Sequence, residues 1–148
     1  MADNATFVRS LYEAWNNRDW DYAANAMAPD GEIIDVPSGT TSRGPEGMRK
    51  YNATWADAFP DGRITVERVI ESGDVVVAEY TGRGTHTGPL VTDMGTIQPT
   101  GKSVTLEFCD VNEVGGGMLK RQRSYWDTGS LMTQLGLAAS PTATTQKD

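Results

Sequence analysis

The chain contains a single cysteine and a single histidine in 148 residues. One thiol excludes an intramolecular disulfide. One imidazole and one thiol cannot furnish the nitrogen and sulfur shell of a structural metal, and no carboxylate run has calcium-loop spacing. A structural metal is therefore not expected. Long hydrophobic runs are also missing, and the start Met1-Ala2-Asp3-Asn4 has no basic or apolar leader region. Positive charge is scarce: 13 Lys and Arg stand against 20 Asp and Glu, for a net charge of −7. That balance disfavours nucleic acid and anionic membranes, which need a cationic footprint. The expectation is a soluble, cytoplasmic protein whose partner is a small molecule or another copy of itself. The glycines of Gly82-Arg83-Gly84-Thr85-His86-Thr87-Gly88 lack dinucleotide spacing and close a strand without opening a helix, so they read as a bulge or bend. No serine stands in a nucleophile elbow.

What is present suffices for one domain, expected over residues 1–137, with a small, polar and flexible tail over 138–148. Phe7, Leu11, Ala14 and Trp15 recur at helical spacing and predict a helix from about Asp3 to Asn17. Asp19 caps a second, short helix, which Pro29-Asp30-Gly31 is expected to end. Glu32 to Val36 reads as a strand followed by a polar loop. A third helix starts at Pro45 and presents Met48, Tyr51 or Asn52, Trp55 and Phe59 on one side. The period then becomes alternating. Arg63 to Ile70 and Val75 to Thr85 form one hairpin, and Ser103 to Val114 with Met118 to Trp126 a second one around Gly115 to Gly117. The long connection His86 to Lys102 reads as a functional lid or a crossing. Helices first and antiparallel strands later give an α+β class.

With no metal shell or nucleophile elbow, the remaining chemistry is acid–base work by carboxylates and His86 within an aromatic-lined pocket. Asp127 stands where the last strand turns into a final helix. It is either a plain N-cap or an acid at the mouth of a cavity. Pairing the second hairpin about its glycines puts Thr105, Glu107, Cys109, Arg123, Tyr125 and Asp127 on one face, and Val104, Leu106, Phe108 and Trp126 on the other. If the apolar face packs against the helices, Asp127 faces water. If the polar face lines a cavity, the apolar face needs cover from another subunit.

Four local signatures carry a family resemblance: Phe59-Pro60-Asp61, Gly84-Thr85-His86-Thr87-Gly88, Pro99-Thr100-Gly101-Lys102, and Tyr125-Trp126-Asp127 followed by Gln134-Leu135-Gly136-Leu137. In this order, from Phe7 to Leu137, the chain resembles the SnoaL-like polyketide cyclase branch of the nuclear transport factor 2-like cone fold. The resemblance implies a curved, mixed or antiparallel sheet with the N-terminal helices on its concave face, enclosing an apolar pocket. It also implies an outer sheet face buried in a homodimer or homotetramer, which selects the second arm of the parity argument. The implied activity is intramolecular aldol cyclisation of a polyketide ester or a related reaction on a small apolar or aromatic substrate, without metal or cofactor. Asp127 is then the general acid/base. His86 is a second catalytic candidate, and Tyr125, Glu107, Asp35, Trp15, Tyr51, Trp55 and Phe59 are candidates for substrate contact. A noncatalytic binder of apolar ligands, an epoxide hydrolase, an isomerase and a hydroxylase are the alternatives.

Overall fold

A computed structural model describes residues 3–137; the expected tail at 138–148 lies outside the described residues. Helix α1 (Asn4–Asn16) buries Val8, Leu11, Tyr12 and Ala14, and its N-cap Asp3 accepts from the Thr6 amide. Helix α2 (Trp20–Ala26) is capped in the same way by Asp19. The strand that follows, β1 (Met27–Asp35), begins earlier than Glu32 and takes Pro29-Asp30-Gly31 into itself. It can do so because its pairing is irregular between Met27 and Glu32, where a proline without an amide proton breaks no ladder bond. Part of the expected polar loop is a short edge strand, β2 (Thr40–Arg43).

Helix α3 (Gly44–Ala58) has Pro45 in its first turn, where the missing amide costs nothing, and it buries Met48, Asn52 and Ala58. Strands β3 (Arg63–Ser72) and β4 (Val75–Thr85) form the first hairpin. The connection at 86–102 contains a two-stranded ribbon, β5 (Leu90–Thr92) with β6 (Gly95–Ile97), which its sequence does not announce. Strands β7 (Ser103–Gly115) and β8 (Met118–Trp126) form the second hairpin. Gly116 and Gly117, both at positive φ, make the two-residue turn that the twist of such a hairpin favours. Helix α4 (Thr128–Gln134) closes the described chain.

The main sheet has the order β2-β1-β8-β7-β4-β3 and is antiparallel except between β1 and β8. Helix α1 crosses the β3–β4 end, and α3 lies on β1. Asn16 bonds both the carbonyl and the amide of Ile64 (2.9 and 2.8 Å), tying α1 to the edge strand. The α+β class and the curved, open sheet are as expected.

Candidate functional site

Register decides which face of β7 and β8 meets the helices. Phe108 pairs with Trp126, Asp110 with Ser124 and Asn112 with Gln122. Val104, Leu106, Asp110, Asn112 and Val114 are all buried, whereas Thr105 and Glu107 are exposed. The apolar face therefore packs beneath the helices, and the reading that turned it outward is corrected. Hydrophobic burial drives this choice, since Val104, Leu106, Val114 and Leu119 gain far more by leaving water than the charged face could. The outward face of the hairpin carries Thr105, Glu107, Glu113, Arg121, Arg123 and Tyr125. The argument from an uncovered apolar face to a homodimer or homotetramer thus loses its premise.

Between helices and sheet lies an open-mouthed cavity. Trp15, Tyr51, Trp55 and Phe59 line it, as do Tyr80, Leu106 and Phe108 from the sheet. The aromatic walls are ordered. Tyr80 and Phe108 stack at 4.9 Å and 4°, and Trp55 stands edge-on to Phe108 at 5.6 Å.

Asp110 is the sole carboxyl group among the residues lining this cavity. It is 1% exposed. Its Oδ2 accepts from the hydroxyls of Tyr12 (2.9 Å) and Tyr80 (3.0 Å). Neither its Oδ1 nor the buried Oγ of Ser124, its cross-strand partner, makes a well-formed hydrogen bond among the described residues, but the Ser124 hydroxyl lies close enough to act on the carboxyl group. Burial pushes the Asp110 carboxyl up to about 6, against the pull of the Ser124, Tyr12 and Tyr80 hydroxyls towards the charged form. Burial, and after it the charge of Asp110, holds both tyrosines well above their ordinary range, so they remain donors. Behind them, Asn112 donates to the Tyr12 hydroxyl (3.4 Å) and to the Val76 carbonyl (3.2 Å), and it accepts from Gln122 (2.8 Å). Asn52 also lines the cavity, 8% exposed, with no side-chain hydrogen bond among the described residues.

The other expected site residues lie elsewhere. Asp127 is exposed and caps α4, its Oδ1 accepting from the Gly129 amide at 2.9 Å. Placing it at the cavity is corrected: the strand ends at Trp126, and the corner turns the carboxylate to the helix terminus and to solvent. Tyr125 is 40% exposed and accepts from Arg123 Nε at 3.1 Å. Glu107 is exposed on the outward face and does not oppose Tyr125: Gly115 already pairs with Met118 across the two-residue turn, and a further irregular step between Glu113 and Val114 brings Cys109 opposite Tyr125.

Asp35 is 5% exposed but does not line the cavity. It accepts from the Tyr51 hydroxyl (2.9 Å), Trp126 Nε1 (3.1 Å), and the amide and hydroxyl of Ser38 (3.2 and 3.0 Å), a set that fastens β1 to α3 and β8. His86 is fully buried, against Phe59, and lies outside the cavity wall. Its Nδ1 accepts from the Thr100 amide at 3.1 Å, so the ring closes the base of the 86–102 connection. Burial holds its pKa below the ordinary value. Among the described residues no cluster of His, Cys, Asp or Glu could hold a metal ion. No helix there is long and apolar enough to cross a membrane.

Asp110 has no place among the sequence-derived candidates, yet its position was readable. It continues the alternation Val104, Leu106, Phe108, and an acid in register with a core face is a buried carboxyl.

The family model for SnoaL-like polyketide cyclase matches residues 5–135. No curated protein matches the chain. Among solved structures, IdmH, a putative polyketide cyclase from Streptomyces antibioticus, is 26% identical with a TM-score of 0.75, over 91% of this chain and 99% of that one. A putative SnoaL-like polyketide cyclase from Jannaschia sp. CCS1 is 22% identical with a TM-score of 0.77, over 94% and 99%. A protein with a ketosteroid isomerase-like fold from Catenulispora acidiphila is 19% identical with a TM-score of 0.75, over 91% and 97%.

Proposed function

Because the chain belongs to the SnoaL-like polyketide cyclase family, we propose that it is an enzyme that performs acid–base chemistry on a small apolar or aromatic carbonyl compound, with Asp110 as the acid/base group. The observation that carries this reading is Asp110 itself, the one carboxyl group on the cavity wall, buried and with its Oδ1 left outside the pair of tyrosine hydroxyls that hold Oδ2.

The chemistry follows from the arrangement. The Tyr12 and Tyr80 hydroxyls occupy Oδ2 and fix the carboxyl plane, so proton transfer falls to Oδ1. With its pKa pushed up to about 6, the group is mostly ionised near neutrality and still basic enough to take a carbon-bound proton beside a carbonyl. In an aldol cyclisation that proton passes to Oδ1, and the resulting enolate carbon forms the new carbon–carbon bond to a second carbonyl of the same molecule. The oxygen of that second carbonyl takes the proton back from Asp110, so the group ends as it began. The unpaired amide of Asn52 is the polar group that orients substrate oxygens, and the aromatic walls hold the reacting carbons together and exclude water.

Epoxide opening by two carboxylates around a water is less well supported. The second buried carboxylate, Asp35, is taken up by its own donors away from the cavity. The deciding experiment is Asp110→Asn, assayed against a panel of aromatic polyketide esters. Turnover falling by 100-fold or more, with ligand binding retained, is the expected result for loss of a general acid/base of typical contribution. Turnover unchanged in Asp110→Asn overturns the assignment and favours the noncatalytic binder.

A further inference from the structure

We propose that Gly82 determines how wide a substrate the cavity admits, the side chain missing at this position being part of the ligand's space. The inference rests on reading the cavity as a substrate site, and it adds which residue sets the size limit.

The inward-facing residues of β4 are Val76, Ala78, Tyr80, Gly82 and Gly84, every second position along the strand, and the last three line the cavity. The two glycines continue the face that Tyr80 uses to reach Asp110, but they differ in their surroundings. A Cβ at Gly84 would stand 3.0 Å from Phe59 Cβ, 3.2 Å from Gly62 Cα and 3.3 Å from Asp61 Oδ1, so Gly84 is a packing glycine. A Cβ at Gly82 would meet only the edge of the Phe108 ring, at 3.3 Å, with every other atom at 3.9 Å or more. It would otherwise project into the cavity, which Gly82 lines.

In the ladder Gly82 pairs with Ile64 on one side and Leu106 on the other, both of which also line the cavity. The row Ile64–Gly82–Leu106 is thus an apolar wall with its middle side chain removed. Tyr80 lies one repeat away along the strand, roughly 7 Å. A molecule whose reacting carbon sits at Asp110 Oδ1 lays its flat apolar body across this notch. No backbone demand explains the glycine. Gly82 lies within a regular strand and is not at positive φ, so alanine or valine fits the local conformation.

The test measures binding of phenol, 2-naphthol and 2-hydroxyanthracene by calorimetry to the full chain and to Gly82→Ala and Gly82→Val. The wild type is expected to bind the two larger phenols more tightly than phenol. Gly82→Val should weaken the larger two at least tenfold and phenol less than twofold, with Gly82→Ala between. Equal weakening of all three ligands, or no weakening, overturns the inference while leaving the catalytic reading intact. A graded loss by ring size in a protein whose Asp110→Asn variant keeps its turnover upholds the size limit and removes the acid–base role. Absence of binding by all three to the wild type overturns the inference together with the view of the cavity as an aromatic site. Gly82→Ala, adding a single methyl, keeps the test decisive if valine unfolds the strand.

Discussion

Asp110 holds its proton more tightly in the folded protein than in the unfolded chain, because burial raises it from the ordinary value of 3.8 to about 6. Between those values the native state binds more protons than the unfolded state, so stability falls as pH rises through this window. The difference amounts to roughly 3 kcal/mol withheld above the upper value. Urea unfolding at several pH values between 4 and 7.5 should show Asp110→Asn gaining on the wild type across that window, by an amount of this order. Parallel stability curves for the two proteins would contradict a raised native pKa. An acid kept at such a cost in the interior fits a functional group better than a structural one. Its legibility was partial. The alternation Val104, Leu106, Phe108 separates the two faces of β7, and the glycines mark the hairpin turn. Parity leaves open which face the helices cover; the resemblance selects the polar one, and that choice hides Asp110 behind the more conspicuous Asp127.

At the scale of elements, Asp127 serves helix α4. A helix of seven residues has few internal bonds, so a cap that satisfies an orphan amide matters to it. Gln134 of the same helix bonds both the amide and the carbonyl of Thr105 (2.8 Å each), and Leu131 and Leu135 seal the cluster under Val104 and Leu106. Asp127→Ala is expected to cost about 1 kcal/mol, the usual worth of an N-cap, and to leave turnover within twofold. Thermal melts and the ester panel check the two halves. Turnover lost with stability unchanged would return the catalytic role to Asp127. The elements that sequence patterning missed, β2 and the β5–β6 ribbon, are short strands of three or four residues. Runs of that length carry almost no period, and tertiary pairing rather than propensity creates them. The long hairpins and α3, by contrast, were legible because each repeats its pattern over ten or more residues.

The whole molecule divides its interior around the cavity. One cluster joins Leu11, Ala14, Met27, Ile33, Met48 and Leu119. A second joins Ala58, Phe59 and Leu90 to the start of β7 and to α4. A third joins Val8 and Tyr12 to Val76, Ala78, Tyr80 and Val114. Helix α1 supplies the first and the third, with Phe7 packed against both, so neither can loosen without moving the other. Trp55 and Trp126 pack against the second cluster, and Phe108 touches the second and the third. Shared members of this kind make unfolding cooperative even though a cavity separates the layers. Leu119, fully buried on β8 in the first cluster, tests that coupling from the side away from Trp55 and Trp126. Leu119→Ala leaves a void in a packed region and should cost about 2–5 kcal/mol. With Trp15 and Trp20 replaced by phenylalanine so that Trp55 and Trp126 are the reporters, urea transitions followed by tryptophan fluorescence and by far-ultraviolet circular dichroism should then shift together, keeping one midpoint. A dichroism midpoint that falls while the fluorescence midpoint stays would mean that the clusters melt separately and that the cavity lies between independent layers. Coincident shifts would mean that the helices and the sheet hold Asp110 in place as one unit.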